Sequence, residues 1–188
     1  MLEQNKRQDL VGKLYNHLAS RHVNFDLHHV WLDETNQIAT FPLYNLAGTL
    51  LGYQQYRPEG SKAVNNDPRD GKYFTRKPNN PEPTYWGIES WNLSNTLFLV
   101  EGLFDAARLT SLGYSALATF TNNPGSNFLG FVSLVKKMRP VVSVCDNDAA
   151  GIKLAKYGHT YTTLSSGKDV SEADELELLQ MVKRYDKL

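Results

Sequence analysis

The chain has 188 residues, of which 41% are hydrophobic, and its 20 basic side chains balance its 20 acidic ones. This composition predicts a folded protein of one large or two small domains, and it excludes an overall electrostatic attraction to nucleic acid or to an acidic membrane surface. The single cysteine, Cys145, excludes an internal disulfide and a zinc site built on several thiolates, and no apolar run approaches the roughly 20 residues that span a bilayer.

The first half of the chain predicts a helix followed by a small β structure. Apolar residues between Gln8 and Ala19 recur with the spacing of an amphipathic helix. From Gln37 to Tyr56, the runs IATFPLY and TLLGYQQY flank a turn at residues 45–48, which predicts a β-hairpin. Residues 57–95 are rich in Pro, Asn, Asp and Gly, so we expect an irregular segment with at most short strands. The polar amino terminus indicates a cytoplasmic protein.

After Asn95 the pattern becomes a regular alternation of strands and helices. The apolar run TLFLV is followed by FDAARLTSLG, which has helical spacing and ends in glycine. The alternation continues through YSALATF, SNFLGFVSLVKKM, VVSVC, AAGIKLAKYG and TYTTL, and a last helix is predicted from Ser171 through ELELLQMVKRY. This order predicts an α/β fold, in which helices flank a parallel sheet. We therefore divide the chain into residues 1–94 and 95–188.

Acidic residues follow the predicted strands. Glu101 comes after TLFLV, and Asp146 and Asp148 come after VVSVC. Asp169 and Glu172 come shortly after TYTTL. The carboxyl ends of parallel strands line the ligand crevice of such a sheet. Two ionised carboxylates about 4 Å apart repel by roughly 4 kcal/mol at an effective dielectric near 20, so a cluster of them favours a bound cation. Oxygen-only ligands favour Mg²⁺, Mn²⁺ or Ca²⁺ over Zn²⁺.

Each acidic residue also has a simpler interpretation. Asp146 or Asp148 alone could cap a helix, and Glu101 could be a first-turn residue favoured by the helix dipole. Asp105 is predicted to be a solvated helix residue. What favours the metal site is the order of three segments, VEGLFDA, VCDNDAAG and SGKDVSE.

These three segments resemble the TOPRIM domain that DNA primases, topoisomerases and some nucleases share. The resemblance covers roughly residues 95–175. It implies acid/base or metal-linked roles for Glu101, coordination of Mg²⁺ (or Mn²⁺) by Asp146 and Asp148, and a further acidic metal site at Asp169. Bacterial primases often carry Asp-Pro-Asp at that last position, whereas this chain has Asp-Val-Ser-Glu, so Glu172 is a candidate replacement ligand.

The upstream segment resembles the basic subdomain that precedes TOPRIM in bacterial-type primases. The similarity lies in FPLYNLAGTLLGYQQYRP, GKYFTRKP and TYWGIES. Residues 57–77 include six basic and three acidic residues, a local excess of 6 − 3 = +3 positive charges. Tyrosines are interleaved with them along the sequence. Such a patch suits single-stranded nucleic acid. The candidate nucleotide- or template-binding residues are Arg57, Lys72, Tyr73 and Lys168.

Together the two resemblances imply a TOPRIM-type parallel sheet preceded by a small α+β basic subdomain. The implied activity is that of a primase-like, DNA-directed RNA polymerase core, which joins ribonucleoside triphosphates into primers on single-stranded DNA. Glu101, Asp146 and Asp148 would be catalytic. We expect no membrane partner, no zinc-binding or helicase domain, and a replicative helicase or a separate zinc-binding protein as candidate partners. A TOPRIM nuclease and a non-catalytic replication accessory module remain the alternatives.

Overall fold

The computed structural model describes residues 12–62, 67–77 and 82–185, and the first half of that range forms an antiparallel sheet. The strands lie in chain order, as β1 Trp31–Asp33, β2 Ile38–Tyr44, β3 Leu50–Tyr56 and β4 Tyr73–Arg76. The predicted hairpin is confirmed, because β2 and β3 pair across a turn in which the Asn45 side chain accepts backbone N–H groups. Helix α1, Lys13–Ser20, precedes this sheet. The start of the helix predicted from Gln8 lies outside the described residues.

The second half forms a parallel sheet with the strand order β6-β5-β7-β8. Its strands are β5 Leu97–Val100, β6 Ser115–Ala118, β7 Val141–Val144 and β8 Thr160–Thr162. Its helices are α2 Leu103–Ser111, α3 Ser126–Val135 and α4 Glu175–Tyr185. The predicted α/β class is therefore confirmed. None of the helices in the described ranges has the length and apolar content needed to cross a membrane.

Two predicted helices differ from the structure. The last helix begins at Glu175 and not at Ser171, which lies in a 3-10 turn, and Gly151–Tyr157 is a 3-10 helix. In an α-helix the N–H of Gly158 would donate to the carbonyl of Leu154. That carbonyl instead accepts the hydroxyl of Ser143 at 2.9 Å, and Gly158 donates to Ala155. In this last turn an i to i+3 bond therefore takes the place of the α-helical one, and the buried serine of β7 uses the carbonyl of Leu154.

A shared core holds the two sheets together. Alternate side chains of β5 point to opposite faces, so Phe98 and Val100 enter one core cluster while Leu97 and Leu99 enter another. The first cluster also contains side chains of α1 and of the antiparallel sheet, among them Leu14, Leu18, Phe41 and Tyr56. Each fully buried side chain of this kind contributes about 1.5–3 kcal/mol. The two predicted modules therefore pack as neighbours across a continuous apolar contact.

A candidate active-site cleft

A cleft of about 540 Å³ opens between the antiparallel sheet and the carboxyl ends of the parallel strands. Its two walls carry opposite charge. One wall contributes three basic side chains, Arg21, Lys62 and Lys72. The other contributes five carboxylates, Glu101, Asp105, Asp146, Asp169 and Glu172. The arrangement suits a ligand that carries negative charge and binds a cation, as a nucleotide does.

The topology of the sheet brings the predicted acidic residues together. Glu101 directly follows β5. Asp146 follows the neighbouring strand β7, with the single residue Cys145 between them. Asp169 leads into a 3-10 turn at Val170–Glu172. Gly151 allows the loop after β7 to fold closely over Asp146, because a Cβ atom at this glycine would lie 2.7 Å from the Asp146 backbone oxygen. A side chain at Gly151 would therefore displace the candidate ligand.

The carboxylates of the cluster repel one another. Burial first, and then the charges of Asp146, Asp148 and Asp169, raise the pKa of Glu101 above its usual range. Burial and the charges of Asp169 and Asp148 likewise raise the pKa of Asp146. In both groups the ionised form is therefore disfavoured, unless the carboxylate binds a proton or a cation lies beside it.

The fit to a metal ion is partial. Within the described ranges, no three side chains of His, Cys, Asp or Glu converge closely enough to enclose an ion. The Oδ1 atom of Asp148 accepts the N–H groups of Ala150 and Gly151 at 2.8 and 2.6 Å, so its side chain caps the following turn. A Mg²⁺ ion, however, often takes only one or two protein carboxylates and fills its shell with water and phosphate oxygens. One or two of the carboxylates of Glu101, Asp146 and Asp169 could serve as the protein ligands of such an ion.

Asp105 differs from its prediction as a solvated helix residue. Its carboxylate lines the cleft and accepts two backbone N–H groups, from Gly102 at 3.1 Å and from Ser171 at 2.9 Å. It thereby ties the turn after Glu101 to the turn after Asp169. Burial is the main reason that the pKa of Asp105 rises to about 6. The sequence carries a local signal for the hydrogen bond to Gly102, because Asp105 stands three residues after it, at the start of α2. It carries none for the hydrogen bond to Ser171.

The raised pKa of Asp105 predicts a pH-dependent contribution to stability. The folded protein holds this proton up to about pH 6, whereas the unfolded chain releases it near its usual pKa of 3.8. The contribution of Asp105 to the free energy of unfolding therefore falls as pH rises from about 4 to 6, and it is constant above that. We expect a loss of about 1–2 kcal/mol, because water in the cleft reduces the burial effect.

The measurement is urea unfolding of wild type and Asp105→Asn between pH 4 and 7.5 without divalent cations. The comparison is needed because burial lowers the pKa of His17 and of His22, which gives stability the opposite trend with pH. Wild type should lose stability relative to the variant up to about pH 6. A constant difference between the two proteins across this range would contradict the prediction.

Two of the four predicted nucleotide-binding residues line the cleft. The backbone of Lys72 is held by hydrogen bonds to Arg57 and Ser61, and its Nζ atom lies 6.0 Å from the ring centroid of Tyr56. Tyr73, 41% exposed, lies beside it, and burial raises the pKa of its hydroxyl to about 12. Tyr73 is therefore a neutral hydrogen-bonding group at physiological pH.

The other two residues do not line this cleft. Arg57 donates through Nη2 to the side chain of Gln55, and alternation along β3 puts Gln55 on the face opposite the buried Tyr56. Lys168 is exposed, and its Nζ atom lies 3.5 Å from the carboxylate of Asp174. Their roles in binding nucleotide or template stay predictions.

Sequence reasoning missed one basic residue of the cleft. Arg21 follows the end of α1, and its guanidinium lies 4.1 Å from the ring centroid of Phe104, at the start of α2. The stacked, cationic group lines the cleft together with Lys72. A lone arginine after a helix carries no sequence signal for this role, because the contact joins residues 83 positions apart (104 − 21).

Among known proteins, similarity to this chain is found in solved structures and not in sequences. No family model matches the sequence, and no curated protein matches it. Solved structures do match. A DnaG primase catalytic domain bound to single-stranded DNA has a TM-score of 0.57 at 19% identity, and the match covers 78% of this chain and 53% of that one. The primase fragment of the bacteriophage T7 primase-helicase has a TM-score of 0.58 at 13% identity, with 77% and 62% covered.

A third structure, the RNA polymerase domain of Mycobacterium tuberculosis DnaG, matches with a TM-score of 0.58 at 15% identity and covers 90% of this chain and 62% of that one. This chain has the fold of a primase catalytic core. The primase fold also accounts for the pairing of a TOPRIM-type parallel sheet with an antiparallel subdomain. The chain spans about half to three fifths of the length of these structures.

Proposed function

We propose that the chain is a primase-like nucleotidyltransferase, which joins ribonucleotides on a single-stranded DNA template. The observation that carries the proposal is the cleft, in which the carboxylates of Glu101, Asp146 and Asp169 face the basic groups of Arg21 and Lys72 within a primase fold. A triphosphate is a ligand that needs both walls, since its oxygens bind cationic side chains directly and carboxylates through a divalent ion.

The proposed reaction forms one phosphodiester bond. The 3′-hydroxyl oxygen of one nucleotide attacks the α-phosphorus of a nucleoside triphosphate, the bond to the β-phosphate breaks, and pyrophosphate leaves. The hydroxyl proton needs an acceptor, and Glu101 is suited to this task because burial and neighbouring charges raise its pKa. Arg21 and Lys72 would hold the phosphates and balance the negative charge of the transition state.

Divalent metal belongs to the proposal. Asp146 and Asp169 would hold Mg²⁺ or Mn²⁺, with Glu101 as a further ligand or as the base. A bound ion would neutralise phosphate charge and lower the cost of placing several carboxylates side by side. Asp148 would support the site by holding the loop after β7, through the hydrogen bonds that it accepts from Ala150 and Gly151.

The test is extension of a short RNA strand annealed to a DNA template, with labelled ribonucleoside triphosphates and either Mg²⁺ or Mn²⁺. An annealed strand removes the need for a separate zinc-binding protein to select the starting position. We expect the added nucleotide to be complementary to the template and the product to require divalent metal. Correctly folded protein that adds no nucleotide on several templates with either metal would refute polymerisation, and cleavage of the strands would favour the nuclease alternative.

A further inference from the structure

Phe120 has an unusual backbone conformation for an aromatic residue. In the described part of the chain, three residues other than glycine have positive φ: His22 at 64°, Gln37 at 53° and Phe120 at 60°. His22 follows the end of α1, and Gln37 ends the tight turn between β1 and β2, both places where the left-handed conformation is common. Phe120 is in neither context. A bulky side chain makes this conformation unfavourable, so the surrounding structure must enforce it.

Hydrogen bonds hold Phe120 next to the candidate catalytic residue. Its N–H donates to the carbonyl of Glu101 at 2.9 Å, and the N–H of Thr119 donates to the carbonyl of Val100. The hydroxyl of Thr119 lies 3.1 Å from the Val100 carbonyl and 2.7 Å from that of Thr121, so it braces both sides of the turn. The position of the Phe120 backbone is therefore fixed relative to the end of β5.

The side chain of Phe120 lies in the cleft. It packs against the shared core, but it is only partly buried, and it lines the same space as Glu101, Asp146 and Lys72. Phe104, by contrast, is 4% exposed and is covered by the guanidinium of Arg21. Phe120 thus adds a partly open aromatic surface next to the charged groups that would bind phosphate and metal.

We infer that Phe120 is a stacking platform for a nucleobase bound in the cleft. The inference rests on the proposed function and names a residue that determines how the base is held. Aromatic rings stack on every base, so the contact would hold nucleotides without selecting one sequence, and the larger purines would gain most. The base could belong to the incoming triphosphate or to the template, and the two sources share this chemistry.

The experiment compares wild type with Phe120→Gly, Phe120→Leu and Phe120→Tyr by direct binding measurements with Mg²⁺. The probes are ATP, ribose 5′-triphosphate and a single-stranded oligodeoxynucleotide. Glycine adopts positive φ readily, so Phe120→Gly removes the ring while easing the backbone conformation, and its melting curve checks that it is folded. Phe120→Leu keeps apolar packing without a ring, and Phe120→Tyr keeps the ring.

We expect the Gly and Leu variants to bind ATP or the oligodeoxynucleotide about tenfold more weakly, with ribose 5′-triphosphate unaffected and Phe120→Tyr close to wild type. Loss confined to ATP would place the base on the incoming nucleotide, and loss confined to the oligodeoxynucleotide would place it on the template. If wild type binds these probes and the Gly and Leu variants bind them equally well, the stacking role is wrong while the proposed function stands. If wild type binds none of the probes, the proposed function fails together with the inference.

Discussion

Replacing Asp146 by asparagine should lower template-dependent nucleotide addition by about a hundredfold to a thousandfold while leaving the protein at least as stable as wild type. Activity should fall because the neutral amide oxygen binds a divalent cation more weakly than a carboxylate does. Stability is kept or raised because burial and the charges of Asp169 and Asp148 already disfavour the ionised form of Asp146. The two measurements are single-nucleotide extension and urea unfolding at pH 7.5.

Asp26→Asn is the matched control. Asp26 is exposed and is not among the residues that line the cleft, so the same chemical change there should leave extension unchanged. A second measurement is the rise in melting temperature on addition of Mg²⁺ or Mn²⁺, which wild type and Asp26→Asn should show and Asp146→Asn should largely lose. Full extension activity of the Asp146 variant would remove this residue from the proposed catalytic site.

Replacing Arg21 by glutamine should weaken the binding of nucleoside triphosphate by about tenfold to a hundredfold. The guanidinium stacks on Phe104 and lines the basic wall of the cleft, so its loss would remove a proposed phosphate-binding group. Arg21→Lys keeps the charge but loses the planar stack, and we expect an intermediate affinity. The measurement is triphosphate binding as a function of salt concentration, in which the variant should also show a weaker salt dependence.

Arg184→Gln serves as the control for Arg21. Arg184 is exposed on α4, and the carbonyl of its neighbour Tyr185 accepts a hydrogen bond from Thr96, just before β5 begins. This places Arg184 at the amino ends of the parallel strands, away from the cleft. Equal losses of affinity in the two variants would mean that only the overall charge of the protein matters, and the specific role of Arg21 would be wrong.

Most of the parallel sheet could be predicted from the sequence. Runs such as TLFLV and VVSVC are apolar on both faces, and each is followed by a segment with different periodicity, so strands alternate with helices. The same alternation predicts that Glu101 and Asp146 meet at one edge of the sheet, and both residues line the cleft, where the charge of Asp146 helps to raise the pKa of Glu101. Local pattern was less informative at Gly151–Tyr157, which is a 3-10 helix and in which the carbonyl of Leu154 accepts the hydroxyl of Ser143.

The sequence by itself thus determined the fold class and the acidic wall of the cleft, because both depend on periodicity and on which residues end strands. Only the tertiary structure decided the opposite wall and the details of the site. Arg21 reaches the cleft through its stacking contact with Phe104, and Asp105 accepts the N–H of Ser171, which lies 66 residues away. The backbone of Phe120 is held by its hydrogen bond to the carbonyl of Glu101, just after β5. These contacts join residues distant in the chain, and no local pattern records such contacts.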